Sequence, residues 1–359
     1  MGKRIICLLL LFLIFSCKVC AFDELNKIID EELNSINTGE FDILEFKNSF
    51  IKEGKLPKIN EVVKKIIDII LKEASNSIKK LSLLIIPLLF MGIISNLSLT
   101  GEGTVKMAQT VCFLVIASVI INIFSSALSL IENAISEVNI ISSCMLPVMY
   151  SLLLSTGRVT SYTVMHPTII FLTRFIISII DNLLIPAILS GFMLSLTDSV
   201  GGRFGFKKIS SLLIKITKWT LIFLISLFTA ILSAQNILTH SFDTVALKGS
   251  KFIVANFIPV VGGAIADGAQ SVGSSLILIK NATGIAGLIG ILFIIFLPAI
   301  RIFLMGLSFY VLSGICQLIS LDRVSEILDH SGSTVNMLGA TLIGTAFLFV
   351  ISIAVMLGG

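Results

Sequence analysis

Residues 107–131 read MAQTVCFLVIASVIINIFSSALSLI, a run of 25 without one charged side chain. About 20 apolar residues in helical form cover the hydrocarbon core of a bilayer, so this run predicts a membrane-spanning helix. Runs of the same character recur at 81–99, 138–156, 166–196, 219–238, 284–320 and 334–357. Across the 359 residues, 55% are hydrophobic and 13% charged, and the mean hydropathy is +1.03. A soluble domain carries roughly a quarter charged residues. The fold class is therefore an all-α polytopic membrane protein.

Charge is unevenly placed. Residues 22–80 hold twelve acidic and ten basic side chains, whereas residues 81–359 hold ten and thirteen. One small charged region thus precedes a membrane domain. The net charge of +4 is too small to suggest nucleic acid as a partner. Arg203, Lys207, Lys208, Lys215 and Lys218 cluster beside an apolar run and read as a topology signal.

The N-terminus, MGKRIICLLLLFLIFSCKVCAFDEL, has Lys3 and Arg4, an apolar run from Ile5 to Phe15, and Val19-Cys20-Ala21. This is the three-part pattern of a secretory signal peptide, predicting cleavage after Ala21. A lipoprotein signal with Cys17 lipidated and an uncleaved anchor stay open. Each reading makes residues 22–80 extracytoplasmic. That region repeats apolar residues at helical spacing, first at Leu25, Ile28, Ile29, Leu33 and Ile36, then from Ile59 to Leu71. It reads as an amphipathic spacer, or as a face for a membrane surface or partner helix. The organisation expected is signal peptide 1–21, extracytoplasmic region 22–80 and membrane domain 81–359.

The positive-inside rule then constrains the crossings. With 22–80 outside, Lys106 and Arg158 fall inside and Glu132 outside. Placing the Arg203–Lys218 cluster inside requires residues 164–199 to form a tight hairpin turning near Asp181 and Asn182. Reading 284–320 as a second pair gives nine crossings and a cytoplasmic C-terminus. Seven or eight crossings also satisfy the apolar runs.

Residues 251–284, KFIVANFIPVVGGAIADGAQSVGSSLILIKNATG, fit neither a soluble loop nor an ordinary span. Pro259 disfavours helix through the residue before it, and Gly262 and Gly263 add backbone freedom. Small residues recur four apart at Gly262 and Ala266, Ala269 and Gly273, and Ala286 and Gly290, a spacing that permits close helix approach. Lys251, Asp267 and Lys280 supply charge. The expectation is a re-entrant or amphipathic element that borders a pore or packs between subunits of a homo-oligomer, with an external loop as the plainer alternative. Arg174, Asp181 and Arg301 lie inside apolar runs, where ionisable groups are costly unless paired or wetted. Their plainer roles are helix pairing, a polar turn at Asp181 and an interfacial Arg301.

No phosphate loop, zinc-protease motif or nucleophile elbow occurs. His166, His240 and His330 stand apart from one another, and Cys7, Cys17, Cys20, Cys112, Cys144 and Cys316 form no metal spacing. We read no catalytic constellation, no cofactor and no metal site.

The order of features, and above all Lys251-Phe252 through Ile258-Pro259-Val260-Val261-Gly262-Gly263 and on to Lys280-Asn281-Ala282-Thr283-Gly284, resembles the stage III sporulation protein AE family of endospore-forming bacteria. The resemblance implies a polytopic component of the mother-cell-derived outer forespore membrane, within a channel or feeding conduit that sustains late forespore gene expression. It implies as partners the other products of the same sporulation operon, including a cytoplasmic ATPase, and a forespore-side protein across the intermembrane space. It supplies no catalytic residues. The alternative from the residues alone is a stand-alone secondary transporter using Arg174, Asp181 and Arg301 at the bilayer midplane.

Overall fold

The computed structural model describes residues 59–96, 102–201, 205–257 and 262–358. The proposed signal peptide and most of the charged N-terminal region lie outside them. Helices α1 (Ile59–Asn96), α2 (Glu102–Ser155), α3 (Val159–Ile179), α4 (Ile185–Gly201), α5 (Phe206–Phe257), α6 (Gly262–Leu318) and α7 (Asp322–Gly358) follow in order. A π-helical turn, Ile180–Leu184, joins α3 to α4 without a break. No strand occurs among the described residues. Residues from Lys65 onward form one compact unit.

Among the described residues, five helical segments are long and apolar enough to cross a membrane: Met107–Ser155, Val159–Asp198, Phe206–Ile253, Gln270–Leu318 and Asp322–Gly358. Ser82–Ile94 in α1 is a shorter apolar segment. The sequence predicts seven to nine crossings. Against nine, three differences lie where a turn was expected and the chain stays helical. The fourth is the expected first span at 81–99, where only the shorter segment Ser82–Ile94 is apolar helix.

Around Glu132 and Glu137 there is neither glycine nor proline, so nothing breaks α2, and Glu132 is exposed on its surface. At Asp181 and Asn182 the helix widens instead of turning. Pro186 cannot donate to the carbonyl one turn back, and the Ile185 N–H reaches Ile180 O, closing the wider π turn. Asn182 Nδ2 donates to Ser178 O at 2.9 Å, satisfying a backbone acceptor locally. Pro298 sits within continuous α6, and α6 runs through 284–318 as one helix. At about 1.5 Å per residue, the 54 residues of α2 measure about 80 Å, well beyond a bilayer core of about 30 Å.

The helices form an up-and-down bundle with α7 at its centre. Helix α7 packs on α6, α2, α5 and α4, and residues such as Val324, Leu328, Val335, Leu338, Leu348 and Ile353 are almost wholly buried. Small residues set the α6–α7 spacing. A Cβ at Gly332 would meet the Gly306 carbonyl oxygen at 3.0 Å and the Phe309 side chain at 3.3 Å, and one at Gly339 would meet Ile302 at 3.1 Å. Dispersion across such close contacts, rather than water exclusion, holds helices together in lipid.

Two connections end in the same hydrogen-bonded cap. After α2, the Arg158 N–H donates to Leu153 O and the Gly157 N–H to Leu154 O, with Gly157 at φ +81°. After α6, the Leu321 N–H donates to Cys316 O and the Ser320 N–H to Gln317 O, with Ser320 at φ +58°. Both are Schellman caps, which satisfy the last carbonyls and reverse the chain.

The unbroken path from α3 to α4 changes the topology argument. Arg158 and the basic cluster on α5 now stand at opposite ends of the bundle, so the two cannot both face the cytoplasm. The end carrying Lys207, Lys208 and the start of α7 is the basic end. The end carrying the α2–α3 turn and Gly358 is the far end. Helix α1 runs parallel to α6: Glu73 pairs with Arg301 at 2.8 Å, and Gly92 lies against Ile319.

Helices α5 and α6 continue past the far end as a two-helix arm. Asn236 lies beside Gly358 and Leu247 beside Gly157, so the rest of α5 extends beyond the α2–α3 turn and the end of α7. On the arm Phe252, Ile253, Val272 and Leu278 are each more than half exposed. Of residues 251–284, the described parts, 251–257 and 262–284, are helical, and 258–261 lie outside the described residues.

Candidate functional site

At the far end, where the arm leaves the bundle, polar groups converge from α2, α3, α5, α6 and α7. The α2 cap delivers Arg158 directly ahead of α3. The first turn of α3 leaves backbone N–H groups unspent, and a carboxylate from α5 takes them: Thr160 and Ser161 donate to Asp243 Oδ1 and Oδ2, both at 2.9 Å. Asp243 is 2% exposed. Burial pulls the Arg158 guanidinium below its usual range, and the nearby Asp243 carboxylate opposes that shift.

Lys280 enters from α6. It is 1% exposed, and its Nζ makes a 3.4 Å contact with Leu357 O of α7. Arg158 is close enough for its charge to act on Lys280. Bare backbone at Gly284 and Gly287 lets this part of α6 approach its neighbours. A Cβ at Gly284 would run into Leu357 and Met149, and one at Gly287 into Met145. The small-residue pairs singled out by spacing behave differently, since a Cβ at Gly273 or at the buried Gly290 would meet nothing within 4 Å.

An aromatic group lines the α2–α3 side. Tyr150 packs edge-on against His166 at 4.4 Å and Tyr162 at 6.2 Å between ring centroids, and Tyr162 stacks on His166. One turn further into the bundle Gln235 Nε2 donates to Thr168 Oγ1 at 3.1 Å. Buried side-chain atoms here without a hydrogen-bond partner among the described residues include Tyr150 Oη, Arg158 Nη1, Gln235 Oε1, Asn236 Oδ1 and Asn281 Oδ1. Buried polar atoms are normally paired. Nothing in the arrangement pairs a nucleophile with a base.

The other singled-out residues are dispersed. Lys251 bridges the arm, ion-paired with Asp267 at 3.6 Å and hydrogen-bonded to Gln270, well outside the bundle. Gly262 and Gly263 open α6, and Pro259 lies outside the described residues. Arg174 and Asp181 are both exposed on one helical path, and no ion pair joins them among the described residues. Asp181 instead lies near Glu132 of α2. Arg301 is no interfacial helix end: it sits inside α6, paired with Glu73 of α1. These three do not converge on one site.

A second buried pair was invisible to spacing. Ser210 Oγ lies 2.5 Å from Gly191 O and 2.5 Å from His330 Nε2. Its proton goes to the carbonyl, so its lone pair receives the imidazole N–H. That ties α4, α5 and α7 together at the basic end and leaves no activated hydroxyl. Lys207 and Glu326 pair beside it at 2.8 Å.

The sequence model of the stage III sporulation protein AE family matches residues 41–359, which takes in every described helix and the whole polar cluster. The chain belongs to that family. Stage III sporulation protein AE of Bacillus subtilis (strain 168) is 26% identical over 310 residues, covering 86% of this chain and 78% of that protein. No solved structure matches. Membership of the stage III sporulation protein AE family gives the chain a role in sporulation, and its apolar helices make it a membrane protein. Of the far-end cluster, sequence reasoning singled out only Lys280. Arg158 was legible as a turn charge, but Asp243, 83 residues from Thr160, carried no signal that it would cap α3.

Proposed function

We propose that this protein is an integral membrane component of a conduit between mother cell and forespore, required for late forespore gene expression and spore formation. The observation that carries this reading is the family match over residues 41–359. The chain carries no phosphate loop, which suits a component whose energy comes from a partner ATPase of the same operon. It resides in the mother-cell-derived outer forespore membrane.

The basic end, with Lys207, Lys208, Lys215 and Lys218, faces the mother-cell cytoplasm by the positive-inside rule. The two-helix arm then projects into the intermembrane space, where the forespore-side partner docks. This orientation puts Gly358, at the end of α7, on the same side as the arm. Impermeant thiol labelling of single cysteines at Ser250 and Gln317 tests it: only the Ser250 site should react from outside.

The functional test is deletion of the gene in its host, with microscopy of engulfment and a late forespore reporter. Arrest after engulfment, with a silent reporter and a shrinking forespore, is the expected result. Normal spores would overturn the conduit reading and favour a stand-alone transporter, although Arg174, Asp181 and Arg301 do not share one site.

A further inference from the structure

The bundle is taller than one bilayer. Helix α2, with 54 residues, is about 80 Å long, and a hydrocarbon core is about 30 Å thick. Part of the bundle therefore stands outside the lipid tails, and the heights of its ionisable residues show which part.

Contacts across the bundle fix those heights. On α7, Gly339 lies against Ile302 of α6, and Gly344 lies against Leu221 and Ile225 of α5. Helix α6 runs antiparallel to α7, with Gly284 beside Leu357. Helix α5 runs parallel to it, from the Lys207–Glu326 pair to Asn236 beside Gly358. Arg301 and Lys218 therefore stand at one height, that of Gly339 and Ala340. Glu73 of α1 joins them through its 2.8 Å pair with Arg301. Ser210 meets Gly191 and Gln235 meets Thr168, which sets Asp181 opposite Leu221. Phe124 stacks on Phe192 and Tyr150 packs on His166, which sets Glu132 opposite Leu184. Glu73, Glu132, Asp181, Lys218 and Arg301 thus come from five elements and share one level to within about one helical turn, 5.4 Å.

A second polar level lies at the far end, where Lys280 meets Leu357 and Asp243 caps α3. Between the two levels α5 runs from 219 to 238, and α6 from 281 to 300, without an ionisable side chain. Twenty helical residues rise about 30 Å, the thickness of a hydrocarbon core. Within the unit that starts at Lys65, the charged residues inside this band are Lys65, Asp68 and Lys72 of α1, Glu137 of α2 and Arg174 of α3. All but Arg174 stand in the half nearer the first level. The basic half has no such band. On α5, Lys207, Lys208, Lys215 and Lys218 leave only 209–214 uncharged between them, about 9 Å. On α7, Asp322, Arg323, Glu326 and Asp329 fall in the same half. Exposed apolar side chains do not choose between the halves, because Phe223 and Leu292 lie in one and Ile86 and Met107 in the other.

We propose that the lipid tails surround only the far half of the bundle, from the level of Lys218 and Arg301 to that of Lys280. The first level then lies among the lipid headgroups, and the basic half stands beyond the membrane surface. Helices α2, α3, α5, α6 and α7 each cross once within the far half. The uncharged run 107–131 of α2 lies on the basic side of Glu132, outside the lipid. Trp219, next to Lys218 and 64% exposed, takes the interfacial position that tryptophan favours. The inference uses the membrane character of the chain and not the conduit reading.

The test reconstitutes the full chain into phosphatidylcholine vesicles whose lipid chains carry bromine either near the glycerol or near the chain ends. Trp219 is the single tryptophan, so the unaltered protein reports the first level. Its emission should fall more with shallow bromine than with deep bromine. Deep quenching, or none, overturns the proposal. In a Trp219→Phe background, Leu292→Trp should lose most emission to deep bromine. Leu114→Trp, in the basic half, should respond to aqueous iodide and to neither lipid. Both leucines are more than half exposed, so neither change disturbs the core. Lipid quenching of Leu114→Trp at either depth overturns the proposal. Hydroxyl-radical footprinting of the unaltered protein in the same vesicles needs no variant. Met107 should be oxidised and Phe171, in the far half, protected, although both are more than half exposed on the bundle itself. Equal protection of the two overturns the proposal as well.

Discussion

Helix α6 is one continuous helix with two different halves. From Gly284 onward it is pressed against α7 and α2, with Ile291, Ile302, Phe309 and Cys316 almost wholly buried. Before Lys280 it pairs with α5 in the arm, and Val272, Ser274, Ser275 and Leu278 face outward. Composition does not separate them, since glycine recurs in both. What separates them is whether a third helix arrives. Close approach stabilises only where there is backbone to approach, and α7 ends at the level of Gly284. The lesson is that a small residue in a membrane helix is a permission, not a contact.

Substitutions along α6 and its neighbours should break this contrast. The largest effect is expected at Gly332→Val, because the Gly306 carbonyl it would meet is backbone and cannot swing aside. A loss of about 3 kcal/mol or more, at the upper end of overpacking costs, should appear as a collapse in the thermal midpoint of purified protein. Unchanged unfolding would show that the α6–α7 seam is looser than its geometry.

Glu73→Ala should cost roughly 1–3 kcal/mol, less than a fully buried pair, because Arg301 keeps 32% of its side chain exposed. A double-mutant cycle with Arg301→Gln isolates the pair, and a coupling energy near zero would contradict the interhelical role. Asp243→Asn keeps the shape of the α3 cap but removes its charge. It should lower stability by about 1 kcal/mol, on the scale of one charged hydrogen bond, with faster amide exchange at Thr160 and Ser161 as the local readout. At the small end, Gly273→Ala enters open space on the arm. It should stabilise slightly, by about 0.5–1 kcal/mol from helix propensity. A clear loss of stability there would mean that a partner or second copy covers the arm in the purified state.

Much of the fold class was legible because apolar length is a local property. Each of the five apolar segments coincides with runs that hydropathy alone picks out. The turns were less legible. Glu132, Glu137 and the Asp181-Asn182 pair carry the charge expected of loops, yet each is absorbed on a helix surface. The signals that do end helices here are glycine and serine in the left-handed region, at Gly157 and Ser320. A positive-inside count built on the wrong turns then placed Arg158 and the α5 lysines on one side, and the unbroken α3–α4 path separates them.

By itself the sequence determined that this chain is a helical membrane protein, that its charge is gathered at a few levels, and which family it resembles. Only the tertiary structure decided which charges meet. Asp243 reaches across 83 residues to cap α3, Arg301 finds Glu73, and Lys280 becomes buried where α6 and α7 close together. Hydropathy and helix length sum over neighbours along the chain, so they can be read in order. The pairing of buried charges depends on which helix faces which and at what height, and that is set by the packing of the whole bundle.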